Sequence, residues 1–174
     1  PLKDDGDRQL ARSALVEGDA SAVTLELAAP TMRVPAEQLP DLIASLGDRM
    51  RQGGRTPLLD HAPLFVRETL LFPYVNGADF VKRFRGRNPG KLPFENLPVS
   101  TEPLMHDSAY FSATPDLPST ITLPTLAGQI EQNNFGEFGT RLFIYQHTRD
   151  QDRSIRASNG WDGDRYALVK TPAG

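Results

Sequence analysis

A chain of 174 residues with 19 Lys and Arg against 22 Asp and Glu has a net charge of -3, the size of one domain with no excess of basic charge to draw it to nucleic acid. A hydrophobic content of 39% is enough for a core, while 14 Gly and 15 Pro commit much of the chain to turns and exclude a single long helix or coiled coil. The absence of Cys excludes disulfides, thiolate zinc sites, iron–sulfur clusters and cysteine nucleophiles, and 3 His are too few to favour a self-contained histidine metal site.

Residues 7–29 contain no Pro and one Gly, and the run predicts a long helix ending before Pro30. Residues 35–50 predict a second helix, with Pro35 in its first turn, Leu39, Leu42, Ile43 and Leu46 on one face, and Gly53-Gly54 as the stop. A third is expected over 57–71 and a fourth over 75–85, the latter turning Phe80, Val81 and Phe84 inward. Seven prolines over 86–124 predict an ordered Pro-rich loop interrupted by one short helix over 100–107. A last helix fits 133–148, and 165–170 alternates like a strand after the turn signal Asp162-Gly163. The expected fold is a mainly α-helical single domain over 1–174 with a long Pro-rich loop and a small C-terminal β element. No apolar run approaches the roughly 18 residues of a membrane helix, so no span is expected.

Glu17 stands out within the first helix. At 100° per residue it falls away from the polar arc of Arg8, Arg12, Asp19 and Glu26, among Leu10, Ala14, Ser21, Thr24 and Ala28, and it is expected to be buried. A buried carboxylate needs a cation, a metal or several hydrogen bonds, and Ser13, Gly18 and Ser21 are small enough to admit another element beside it. The structural alternative is a Glu paired with an Arg or a helix terminus inside the core.

Five ordered blocks carry a family resemblance: Ala14-Leu15-Val16-Glu17-Gly18-Asp19-Ala20; Leu71-Phe72-Pro73-Tyr74-Val75-Asn76-Gly77-Ala78-Asp79-Phe80-Val81; Pro98-Val99-Ser100-Thr101-Glu102-Pro103-Leu104-Met105-His106; Phe135-Gly136-Glu137-Phe138-Gly139; and Gly160-Trp161-Asp162-Gly163-Asp164-Arg165-Tyr166. Together they resemble the region downstream of the zinc motif in a poorly characterised group of bacterial zinc metallopeptidases of glutamate-zincin type. The resemblance implies an H-E-x-x-H helix preceding this stretch, with two His on zinc and the Glu as general base, and it implies Glu17 as the third ligand. It also implies a peptide or protein substrate and an extracytoplasmic location. No H-E-x-x-H occurs in these 174 residues, and His61, His106 and His147 each lack a second His four positions on. The chain is therefore expected to be a fragment truncated at both ends, binding no zinc stably and inactive alone. The alternative is a non-catalytic helical binding or structural module.

Further candidates have functional and structural sides. Glu102 and His106, four apart on the short helix, are placed to enter one cleft, where His106 would hydrogen-bond an oxyanion; the alternative is a surface Glu–His pair. Tyr74 and Tyr110 are candidate donors to a tetrahedral intermediate, or else core residues with satisfied hydroxyls. His61, ahead of Ala62-Pro63, is helix-start punctuation. Lys82, Arg83, Arg85, Arg87 and Lys91 read as a solvated basic face, because no nucleic-acid motif accompanies them. Glu137 and Arg141 are spaced as a helix-face pair, Gly136 and Gly139 admit close packing, and Trp161 reads as a hydrophobic plug.

Overall fold

In a computed structural model of the chain, the described residues are 4–35, 38, 42 and 57–171. Chain order gives α1 (Gly6–Met32), α2 (Pro57–Asp60), α3 (Leu64–Arg87), α4 (Glu102–Met105), α5 (Asp107–Phe111), β1 (Gln129–Asn133), α6 (Gly136–Thr148), α7 (Gln151–Ser158) and β2 (Tyr166–Val169). The fold is mainly α, with Pro-rich loop around α4 and α5 and a small β element completed near the C-terminus, as the sequence predicts. Almost all of the helix predicted over 35–50 lies outside the described residues. Two compact units are formed, one from residues 10–98 and the other from residues 1–9 with 99–174.

α1 starts where Asp5 accepts a hydrogen bond from Arg8 N (3.2 Å), a side-chain cap on one of the helix's orphan donors. It runs past Pro30 rather than stopping before it, because its real stop lies three residues on. Arg33 takes a left-handed conformation (φ 54°), Val34 N reaches Ala29 O at 2.9 Å, and Arg33 N reaches Pro30 O at 3.2 Å. These two bonds close the last turn and satisfy carbonyls that would otherwise be orphaned.

The predicted third and fourth helices are divided differently. His61, Ala62 and Pro63 separate the short α2 from α3, and α3 then continues unbroken through Pro73. An interior Pro costs a helix about 3 kcal/mol, so tertiary packing must outweigh it here. Leu71, Phe72, Pro73, Ala78, Phe80, Val81 and Phe84 are all buried and offset that loss. Their counterparts on α1 are Ala11, Ala14, Leu15, Ala22 and Ala29, a narrow stripe of mostly small side chains. Gly18 and Gly77 make the crossing possible. A Cβ on Gly18 would run into the Gly77 backbone, and one on Gly77 would run into the Ala14 carbonyl. Of the small residues around Glu17, Gly18 thus admits a second helix, as predicted, while Ser13 is exposed. Arg85 from α3 bonds Asp19 (2.6 Å) and Glu26 (2.9 Å), two residues assigned to a free polar arc.

In the other unit, β1 and β2 pair antiparallel, Asn133 opposite Tyr166 and Gln129 opposite Val169, with a register shift between Gln129 and Glu131. β1 carries no strand signal in its sequence, since Gln-Ile-Glu-Gln-Asn is polar and exposed on three of its five residues. Phe135 stacks on Tyr166 (4.6 Å between ring centroids) and on Phe143 (5.8 Å), tying the sheet to α6. The predicted helix over 133–148 begins three residues late because 129–133 is the strand. α7 was not foreseen either: Asp150 caps it by accepting from Arg153 N at 2.9 Å, and its buried face is Ser154 and Ser158. A face so small and polar leaves no apolar period to detect.

Candidate functional site

The unit formed by residues 1–9 and 99–174 contains the densest polar chemistry among the described residues. At its centre Asp7, 2% exposed, receives hydrogen bonds from Thr101 N (3.0 Å) and Thr101 Oγ1 (2.7 Å), and Thr101 Oγ1 in turn accepts from Phe138 N (3.3 Å). Gly136 lies against the Asp7 carboxylate with φ +69°, so a side chain there would be both strained and overlapping. The Gly136 packing foreseen in the sequence is thus against the first turn of the Glu17 helix. Asn133 accepts from Gly6 N (2.7 Å), Asn134 accepts from Asp7 N (3.1 Å), and Asp164 accepts from Phe135 N, Gly136 N and Trp161 Nε1 at 2.7–3.0 Å. Burial, and then the charges of Asp164 and Asp5, push the Asp7 carboxyl up to about 7 against the two Thr101 bonds.

Next to this cluster, His106 joins α4 to α5. Its N–H reaches Glu102 O (2.9 Å) and its carbonyl accepts from Ala109 N (3.2 Å), so its backbone is fixed on both sides. The imidazole Nε2 lies 2.8 Å from Glu137 Oε1, and the His106 side chain remains 38% exposed. Glu137 is 2% exposed, and its other oxygen, Oε2, is buried with no hydrogen-bond partner among the described residues. Burial raises the Glu137 carboxyl even though His106 and Arg141 both favour its charged form. Glu102 is also buried and is pushed up to about 7, first by burial and then by the charges of Asp116 and Glu137, with His106 opposing. The surface Glu102–His106 pair is corrected accordingly: the imidazole bonds Glu137 on a different helix. Glu137 is buried, and Arg141, its helix-face neighbour four residues on, still acts on its charge.

A cleft of about 770 Å³ opens in the same unit. One wall is the extended segment 118–126, and the others include Asp7, Arg8, Asn134, Trp161 and Arg165. Ser119 anchors that segment on Asp162 (Oγ to Oδ2, 2.8 Å; N to O, 2.6 Å). Trp161, half-buried and hydrogen-bonded through its indole N–H, lines the cleft and is not a sealed hydrophobic plug.

Tyr110, half-buried, also lies in this unit, and the other candidates lie in the 10–98 unit. Glu17 is half-buried, a correction to the expected burial. The buried stripe of α1 runs through Ala11, Ala14, Leu15, Gly18 and Ala22, and Glu17 sits on its flank, because the α1–α3 contact is centred on glycine and not on the face first assigned. No hydrogen bond or ion pair to Glu17 is formed among the described residues. Tyr74 follows the buried Leu71-Phe72-Pro73 but is 43% exposed and so is not a core residue. Arg83 bonds Asp79 (2.9 Å) and Arg85 bonds α1, so these two members of the basic run have acidic partners.

Zinc needs at least three protein donors, and among the described residues no group of three or more His, Asp or Glu is arranged to hold a metal. Glu17 offers one carboxylate, so these residues alone do not fit a zinc ion. No helix among them is long and apolar enough to cross a membrane. Compared with protein-family models, curated proteins and solved structures, the chain matches none. Sequence reasoning missed Asp7, Asn133, Asn134 and Asp164 as a group, and it missed Glu137 as the partner of His106. The available signal was the pair Asn133-Asn134 just before Gly136, a concentration of backbone-bonding side chains at a helix start.

Proposed function

We propose that this chain is the substrate-cleft portion of a zinc-dependent metallopeptidase, contributing Glu17 as one metal ligand and inactive by itself. Bound zinc would supply Lewis-acid activation of a water; the two His and the general base would come from an H-E-x-x-H helix outside these 174 residues. The observation that carries this reading is Glu17 itself, a half-buried carboxylate without a partner among the described residues, on the helical turn fixed by the Gly18–Gly77 crossing. α3 adds support. Val66, Leu70 and Tyr74 recur every fourth residue and are exposed, in line with positions that are buried farther along the same helix, which is the apolar stripe a further helix would cover. Each within its own unit, His106 is a proposed imidazole donor to an oxygen that gains charge, and Tyr74, in the unit that contains Glu17, is a proposed hydroxyl donor.

The test is zinc content by mass spectrometry of the complete gene product and of this chain, each with and without Glu17→Ala. Stoichiometric zinc in the complete protein, lost with Glu17→Ala and absent from the isolated chain, is the expected result. Zinc retained by Glu17→Ala, or absent from the complete protein, would overturn it. A second reading, a helical binding module, is favoured by the cleft, where residues 120–125 form no backbone hydrogen bonds with other described residues. Absence of zinc throughout would make that the reading to pursue.

A further inference from the structure

We propose that Glu137 is the positioning residue for His106, holding the imidazole by Nε2 so that Nδ1 is the nitrogen presented to a substrate oxygen. Only the reaction served rests on the hydrolase reading; the positioning itself stands on geometry. The 2.8 Å contact joins a carboxylate that is 2% exposed to an imidazole that is 38% exposed, so one end of the pair is locked in the protein and the other is open. The His106 backbone is bonded on both sides, and Glu137 stands in the first turn of α6, whose next residue donates to Thr101 Oγ1. These bonds fix the two backbones from which the paired side chains extend.

The second oxygen of Glu137 makes this more than a structural tie. A buried carboxylate oxygen without a partner is costly, and a side chain serving only to join two segments would cost less as an uncharged residue of the same shape. What an amide cannot supply is a negative charge behind the ring. With Glu137 ionised, Nε2–H donates to Oε1 and Nδ1 carries the lone pair. When Nδ1 takes a proton, the imidazolium is stabilised by the carboxylate and can donate from Nδ1–H to an oxygen that is gaining charge. Glu102 stands beside the pair, with Asp116 and Asp162 adding negative charge and Arg141 positive charge. The presented nitrogen thus acts within a predominantly acidic cluster.

The experiment has two arms. In this chain, 15N-resolved NMR should show a His106 Nε2–H protected from solvent exchange, assigned by its loss in His106→Gln and abolished by Glu137→Ala. If Glu137→Ala does not fold, Glu137→Leu serves in its place. In the complete gene product, Glu137→Gln should lower kcat for peptide hydrolysis on the order of 10-fold or more with KM within about twofold, and Glu137→Asp should recover part of it. A His106 Nε2–H that persists without Glu137, or an unchanged kcat in Glu137→Gln, would overturn the assignment. A complete gene product without peptidase activity would remove the hydrolase reading alone, and the NMR arm would still decide the positioning.

Discussion

Alanine at Gly77 and at Gly86, two glycines of α3, should change stability in opposite directions. In an ordinary helix either change gains up to about 1 kcal/mol, because Ala is the better helix former. At Gly86 nothing lies within 4 Å of the added methyl, so Gly86→Ala should stabilise by a few tenths to about 1 kcal/mol. At Gly77 the methyl meets the main-chain carbonyl of Ala14, which no side-chain rotation can move, so α1 and α3 must separate where Ala11, Ala14, Leu15 and Ala78 are sealed from water. Overpacking costs about 1–3 kcal/mol, and a backbone obstacle places this case at the upper end, for a net destabilisation of about 2 kcal/mol. The two variants should therefore differ by about 3 kcal/mol, roughly a hundredfold in the folding equilibrium. Urea titration followed by far-UV circular dichroism measures the difference. The fluorescence of Trp161, the single Trp, reports the other unit separately. If Gly77→Ala unfolds at the same urea concentration as the parent or a higher one, the close crossing is not present in solution.

The buried Asp7 makes stability depend on pH. Its proton leaves near pH 3.8 in the unfolded chain but only near 7 in the folded one, so folding takes up a proton between these values. Stability should fall as pH rises from about 4 through 7, by an amount of the order of a few kcal/mol, with Glu102 adding in the same sense. Asp7→Asn should flatten the slope in thermal melts across that range, and an unchanged slope would exclude Asp7 as its source. Thr101→Val keeps the shape but removes the hydroxyl that donates to Asp7 and accepts from Phe138 N, and should cost roughly 1–3 kcal/mol in urea unfolding. Arg85→Ala should cost under about 1 kcal/mol, less at high salt, because its partners Asp19 and Glu26 are partly exposed. Glu17→Gln should be neutral within about 0.5 kcal/mol in this chain, since among the described residues the carboxylate has no partner to lose; a large loss in melting temperature would reveal one.

Helices with an apolar period were legible in the sequence, and their ends were legible only where local chemistry set them. The first helix follows from a run with no Pro and a single Gly, but its stop depends on Arg33 adopting a left-handed conformation that Arg does not advertise. α3 was divided because Pro73 is a strong local signal, and the packing of Phe72, Phe80 and Val81 that overrides it is tertiary. α7 and β1 bury almost no apolar surface, so periodicity had nothing to register. At the candidate site, His106 was singled out by residue type, whereas its partner Glu137 is 31 positions away and was assigned to a nearer Arg. A four-residue spacing proposes a contact on one helix, and it says nothing of the contacts the fold makes between helices.

The hydrogen bonds gathered on Asn133, Asn134 and Thr101 also bear on the order in which the chain folds. They bind Gly6 and Asp7 to residues up to 127 positions away, so the unit they hold together cannot close until its last segments have been synthesised. Residues 10–98 form an unbroken stretch with no such wait. Because non-local closure slows folding, we expect the continuous unit to acquire protection first on refolding, with the amides of Gly6, Asp7 and Thr101 protected together and last. Pulse-labelled hydrogen exchange would read that sequence, and early protection at Gly6 and Asp7 would contradict it. A newly made chain would thus carry Gly6 and Asp7 without these bonds until Asn133 and Asn134 have emerged.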